Sequence, residues 1–463
     1  MDNQNISEVR QPRPKRKNKL QIFKETLLPL VIAGIAIIFI LVFIIGSIVR
    51  GVQKNIYEAK LEQEASQAHA ALLAEQTKEV ENILNEAKLM CAEYDYYGAA
   101  ALIESFSGNI ENFPALKALY NQSVEGKNAL VKWTDTNAIL NLSFQMLIAD
   151  PERAFQDAKY GPSYNKNFVT TDEFTKILHQ LYENNYILVR LSDIFKDGQL
   201  QELYLPAGKK PLILTQTQVN YNTYMVDGDG DKLPDKDGDG FASKLIIDAN
   251  GNITCEMVDS SGQVQTGAFD LVPILNSFVT THPDFSYKGA RAILALTGYD
   301  GLFGYRTNSM AETTFGAVTY GNEITAAKQI VEALRKDGYE LACYTYDNAA
   351  YGKLDSAQIQ FDLTQWNNEV TPILGNMDTL VFAKESDIST STAPYDGEKF
   401  DTLQGYGFTK YLGFCNEGES WCSEGEGYIR FGRLLVTGAN MKNHYEWFED
   451  FFDSQAVLDN ARP

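Results

Sequence analysis

The run PLILTQTQVNYNTYM, residues 211–225, has the pattern of a buried strand that ends in Thr215, Gln216, Thr217 and Gln218. Polar side chains at the end of such a strand are where α/β proteins set their functional groups. These four contain no carboxylate, imidazole or thiol. Hydroxyls and amides can hydrogen-bond a ligand, but they are poor metal ligands and poor proton acceptors at neutral pH. A second group follows in DGDGDKLPDKDGDG, where Asp227, Asp229, Asp231, Asp235, Asp237 and Asp239 recur at alternate positions. Oxygen donors at loop positions 1, 3, 5 and 9 suit Ca²⁺. Counted from Asp227, position 6 is Lys232 where a calcium loop has Gly, and position 12 is Gly238 where it has Glu. Counted from Asp235, Gly240 and Ser243 fit positions 6 and 9 but Ile246 holds position 12. A calcium site and a solvated acidic loop are the two alternatives.

The elements that must position these residues follow from periodicity. From about residue 136, strand-like runs alternate with helical ones. AILNLSFQMLI is followed by TTDEFTKILHQLYENN, which opens with a capping box of Thr170 and Glu173, and then by YILVRL and PLILTQT. ARAILALTG, EITAAKQIVEALRKDG, YELACYTY, MDTLVFA and FTKYLGF continue the alternation. This predicts a mainly parallel sheet, either rolled into a barrel or doubly wound. No G-x-G-x-x-G turn supports a dinucleotide fold. Residues 219–275 interrupt the rhythm with the acidic loop and a hairpin turning at Asn250-Gly251.

Residues 27–49, LLPLVIAGIAIIFILVFIIGSIV, are free of charge and long enough to cross a bilayer, for which ~20 residues suffice. A cleaved signal peptide is the alternative, although its apolar core is usually ~7 to 15 residues. Seven Lys or Arg between Arg10 and Lys24 place residues 1–26 in the cytoplasm and the rest outside, giving a single-pass type II protein of the cell membrane. Residues 51–90 predict a helical stalk, and EYDYYGAAALIESF with ALKALYNQSVEGKNAL resembles one tetratricopeptide-like hairpin with small residues at Ala99, Ala100 and Ala101. The hairpin, within a stalk region of residues 50–135, either packs on the chain itself or offers a groove to a protein partner.

Residues 1–50 carry eight Lys or Arg against three Asp or Glu, net +5, so the chain total of −21 leaves −26 for the remainder. That surface repels nucleic acid and favours neutral glycans, cations or basic peptides. Five cysteines are a sparse, odd set for a disulfide framework, and only Cys415 and Cys422 are spaced as a local staple.

Residues 136–463 resemble the membrane-anchored bacterial polysaccharide deacetylases, the NodB-homology family. The resemblance lies in NLSFQMLIADPERAF, TTDEFTKILHQLYENNYILVRLSDI, the strand at 211, DGDGFASKLIIDANGNITCEMVD, HPDFSYKGARAILALTGYDGLFGYRTN and VEALRKDGYELACYTYDN. It implies a deformed (β/α) barrel with a hairpin insertion, and hydrolysis of acetyl groups on cell-wall glycan by a divalent metal such as Zn²⁺. In the family an Asp-Asp pair ends one strand and a His-[Ser/Thr]-x-x-His motif follows another. Those positions fall here on Thr217 and Gln218, and on Tyr344 and Asn348, while Gln145 stands where relatives carry a further His. The resemblance therefore implies a barrel that has lost its metal ligands and base, a pseudoenzyme that binds glycan through Gln145, Thr217, Gln218, Tyr344 and Asn348. Without the metal, water keeps its bulk pKa of ~15.7 and the acetyl carbonyl is not polarised. Two alternatives remain: an active deacetylase with a site rebuilt from other ligands, among them His69, His179, His282 and His444, and an envelope scaffold that binds a partner through the stalk.

Overall fold

The computed structural model describes residues 19–390, 393–415 and 418–463, so the basic residues from Arg10 to Lys17 lie outside the described residues. The chain divides into two units, one reaching Glu81 and one spanning Asn82–Pro463. The predicted stalk belongs to one uninterrupted helix, α1 (Leu28–Ala92). This helix, with the turns that lead into it from Phe23, is long and apolar enough to cross a membrane, a property that an anchor and a signal sequence share. Two shorter helices follow, α2 (Tyr96–Glu104) and α3 (Pro114–Ala129). Of the small residues in α2, Ala99 is buried and Ala101 is exposed, so the contact face is narrower than the run of alanines implies.

Beyond the helices, the strands of the main sheet and of the insertion are β1 (Leu140–Phe144), β2 (Tyr186–Leu188), β3 (Lys210–Thr217), β4 (Lys244–Ile247), β5 (Ile253–Val258), β6 (Val264–Gly267), β7 (Ile293–Leu296), β8 (Glu340–Cys343), β9 (Thr379–Val381), β10 (Lys410–Leu412), β11 (Cys422–Gly425), β12 (Tyr428–Phe431) and β13 (Leu434–Leu435). In the main sheet β1, β3, β7, β8, β9, β10 and β12 lie side by side in chain order, and each neighbouring pair is parallel. An order without reversal excludes the doubly wound alternative, which needs a switch point. Only Gly432 and Arg433 separate β12 from β13, yet β12 pairs with β10 and β13 pairs with β1. The sheet therefore curls until residues 428–435 flank both margins of its parallel part, with β11 added antiparallel outside β12.

Curling gives every strand an inner and an outer face, and alternate residues take opposite sides. Ile213, Ile293, Ala295, Ala342, Val381, Leu412, Ile429 and Phe431 pack together on the inside. Leu212, Leu214, Leu294, Leu296 and Leu380 face outward and join the core made with the surrounding helices. Helix α4 (Thr171–Glu183) begins as its sequence predicts: Thr170 accepts from the Glu173 N–H, and the Glu173 carboxylate returns to the Thr170 N–H.

One expectation is corrected, and one option the spacing leaves open is not taken. The insertion is a three-stranded antiparallel sheet, β4–β5–β6, not a lone hairpin, and its first turn is wider than two residues. Ile247 pairs with Ile253 and Asp248 accepts the N–H groups of Asn250 and Asn252, so Asn250-Gly251 is the tip of an aspartate-held loop. Cys415 and Cys422 are free thiols. Cys415 N–H binds Arg433 O and Cys422 pairs with Phe431, which sets the two on opposite flanks of the segment 428–435.

Glu173 is fully buried and is held by Arg462, whose Nε lies 2.5 Å from Oε1 and whose Nη2 lies 2.7 Å from Oε2. Removing one partner of a buried pair leaves an uncompensated charge. Arg462→Ala is expected to destabilise the second unit by about 3–5 kcal/mol, read as a lower unfolding midpoint of the full chain.

Candidate functional site

A cavity of about 170 Å³ opens where the parallel strands end. Its wall is built from Ser143 and Phe144 at the end of β1, Gln145 just beyond, Thr217 closing β3, Gln218, and Tyr344 directly after β8. Asn348, Lys384, Glu385, Arg433, Leu435, Val436 and Thr437 complete it. All five positions assigned by the family resemblance, Gln145, Thr217, Gln218, Tyr344 and Asn348, thus come together, though they lie far apart in the chain. Carboxyl ends of parallel strands are the usual place for a ligand in α/β folds.

The backbone around this cavity is unusual. Gln218, Asn348, Lys384 and Glu385 all have positive φ, between 48° and 59°, as does Thr345 at 64°. Non-glycine residues in this region cluster at functional sites, because the surrounding structure must hold them there. Strand alternation explains the wall. Ile213, Thr215 and Thr217 face inward, so the interior of the curl is apolar at Ile213 and polar above it, where the Thr215 hydroxyl donates to Asn141 Oδ1 at 3.0 Å. Gln216 faces outward and donates to Asp270 Oδ1 at 2.7 Å. Asp270 also accepts from the Leu147 N–H and the Tyr221 hydroxyl, at 2.9 and 2.7 Å. Burial raises the Asp270 pKa, and these hydrogen bonds oppose the rise. One buried carboxyl thereby tethers the loops after β1 and β3, which carry Gln145 and Gln218.

Inside the cavity the Tyr344 side chain lies beside Thr217 and the Lys384 backbone. Burial pushes its pKa up, Arg433 pulls it down, and Tyr344 stays neutral. Asn348 Oδ1 is buried without a hydrogen-bond partner among the described residues. The charged side chains of the lining are Lys384, Glu385 and Arg433. A catalytic Zn²⁺ needs about three strong ligands and an open water position. One carboxylate beside two cations and seven neutral amide or hydroxyl groups does not fit that ion.

The remaining sequence candidates lie elsewhere. None of the four histidines lines the cavity. His179 and His282, which show no pairing in the sequence, come together with ring centroids 5.9 Å apart, but on helix α4 and at the end of helix α5 (Leu271–Thr281), packed with Phe278. Of the six loop aspartates, Asp227, Asp229 and Asp235 bring oxygens within 4.8 Å of one another. Asp231 turns to the Leu233 N–H, Asp237 to Lys236, and Asp239 to the Tyr164 hydroxyl. The frame beginning at Asp235 is thus dispersed, and the frame beginning at Asp227 keeps positions 1, 3 and 9. Lys232, in the glycine position of that frame, holds φ at 70°. A wider groove of about 660 Å³ shares Lys384 with the cavity and is lined by Tyr346, Asp347 and Phe361, the last 70% exposed.

Arg433 is the site residue that periodicity missed. It follows Ile429 and Phe431 on the inward side of the last strand segment, in a run whose arginines look like solvent-facing positions.

No family model and no curated protein matches the sequence. A distant structural neighbour is a deacetylase of Streptococcus pyogenes, PplD in complex with acetate. It shares 13% identity over 69% of this chain and 99% of that one, with a TM-score of 0.37. At that score the two backbones share only part of their course, and the fold described above rests on this chain's own strand pairing.

If the Asp227, Asp229 and Asp235 trio holds calcium, titration into the full chain should show one site in the range of about 10⁻⁴–10⁻³ M common for extracellular modules. Asp229→Asn should abolish it and Asp231→Asn should leave it nearly intact; calorimetry with both variants checks this.

Proposed function

We propose that this chain is a polysaccharide-deacetylase-like protein of the cell surface that binds cell-wall glycan in its strand-end cavity and has lost the metal chemistry of the family it resembles. The observation that carries this reading is the convergence of Gln145, Thr217, Gln218, Tyr344 and Asn348 on one cavity, each with a neutral side chain. On this reading the curled sheet is a deformed (β/α) barrel of the deacetylase type. Residues 27–49 are then a type II anchor that holds residues 50–463 outside the membrane.

Neutral hydroxyl and amide groups suit sugar hydroxyls, which both donate and accept hydrogen bonds. Phe361, exposed at the edge of the adjoining groove, offers a flat apolar face to the next sugar ring. The alternative of a rebuilt metal site would need ligands that the lining does not contain.

Two measurements test this. The full chain in mild detergent should be retained on insoluble peptidoglycan and should release no acetate from acetylated wall glycan or chitin oligomers, whether Zn²⁺, Co²⁺ or a chelator is present. Metal-dependent acetate release would overturn the loss of chemistry. Phe361→Ala should weaken retention by up to roughly tenfold with no change in unfolding midpoint, since the ring is exposed and contributes contact area to the ligand alone.

A further inference from the structure

Two buried arginines of this fold face a carboxylate. Arg430 Nη2 lies 3.1 Å from Asp387, and Arg462 clasps Glu173. Arg433, on the same strand segment as Arg430, is 1% exposed and differs. Its Nε donates to Gly413 O at 2.9 Å, its Nη1 to Ser143 Oγ at 3.0 Å, and its Nη2 to Phe382 O at 2.8 Å, all uncharged oxygens. The carboxylates of Glu385 and Asp387 act on it only through space. A guanidinium has five N–H donors, so one remains on each terminal nitrogen. A buried cation with no carboxylate hydrogen-bonded to it is only partly compensated, and this one forms part of a cavity wall.

We infer that the missing counter-charge arrives with the ligand, and that the cavity takes a carboxylate carried on a sugar unit. Three features set that class. First, the charged lining of Lys384 and Arg433 against Glu385 sums to +1, which matches a monoanion and disfavours a dianion held beside Glu385. Second, the guanidinium fork matches a planar carboxylate. Third, a cavity of about 170 Å³ suits one carboxylate-bearing sugar unit and not a run of rings. The acidic exterior discourages free polyanions, so one cationic cavity would select single carboxylates spaced along an otherwise neutral glycan. The buried Asn348 Oδ1 can then accept from a hydroxyl of the same sugar.

This inference rests on the glycan reading and names the group recognised. Because Arg433 also ties three strand ends together, the first test uses the unaltered full chain in detergent, titrated calorimetrically with glucuronate, its neutral isostere glucuronamide, and sulfate. Glucuronate should bind roughly tenfold or more tightly than glucuronamide and more tightly than sulfate. Lys384→Ala, exposed at the cavity, should weaken glucuronate a few-fold with the unfolding midpoint unchanged, and Arg433→Lys should retain part of the preference that Arg433→Gln loses. Equal binding of glucuronate and glucuronamide, or tighter binding of sulfate, overturns the inference. Retention on peptidoglycan by a chain indifferent to the carboxylate would leave the glycan reading standing and remove this one. Glucuronate binding by a chain that ignores peptidoglycan would do the reverse.

Discussion

The second unit depends on what Arg433 and its neighbours do at the seam of the sheet. Residues 428–435 leave β10 and reach β1 within one short segment, so both margins of the parallel strands meet a single run of backbone. Arg433 lies between the two pairings and spreads its guanidinium over three strand ends, through Ser143, Phe382 and Gly413. A side chain with five fixed donors can bridge three strands at once, which a lysine could not do with the same geometry. The curl, the inner face and the cavity above it all follow from that closure.

Polarity inside the curl is graded along the strands. Small and aliphatic residues such as Ala295, Ala342 and Val381 fill the interior, and Asn141, Thr215, Ser143, Thr217 and Arg433 carry polarity into it toward the strand ends. A dry interior accepts such groups only when they bond to one another. Most do, and among the described residues Asn141 Nδ2, Thr297 Oγ1 and Asn348 Oδ1 are buried without a partner. Outside the curl, Asp270 does for the loops what Arg433 does for the strands: its three donors come from Gln216, Tyr221 and Leu147. The residues that line the cavity are therefore held from both faces of the sheet, which is what a cluster of positive-φ residues requires.

Much of this was legible in the sequence because local rules and the fold agree. Thr170 and Glu173 announce their helix, and Gly338, with φ at 99°, ends helix α6 (Ala317–Asp337). The rhythm of strands and helices predicts the parallel sheet, and the family resemblance names Thr217, Gln218, Tyr344, Asn348 and Gln145, which line one cavity. What stayed hidden depends on distant partners. An arginine in Tyr428–Leu435 reads as a solvent-facing residue, because nothing local says that Ser143 waits 290 residues away. The spacing of Cys415 and Cys422 ignores the strand that runs between them. Alternate aspartates all look equivalent until Lys236, Tyr164 and the loop backbone claim Asp237, Asp239 and Asp231. His179 and His282 meet only because two helices pack.

A sheet whose two ends are joined by its last strand segment also has an order of assembly built into it. Every other parallel strand of the curl emerges from the ribosome before residues 428–435. Until that segment arrives, β1 and β10 are open edges with unpaired N–H and C=O groups. Contacts of such long sequence separation form slowly, because the loop must close before the pairing rewards it. During synthesis the unit is thus an incomplete trough, with its polar inner positions wet and its edges able to pair with other chains. Any cellular machinery that holds this chain during its synthesis would find those two edges to cover.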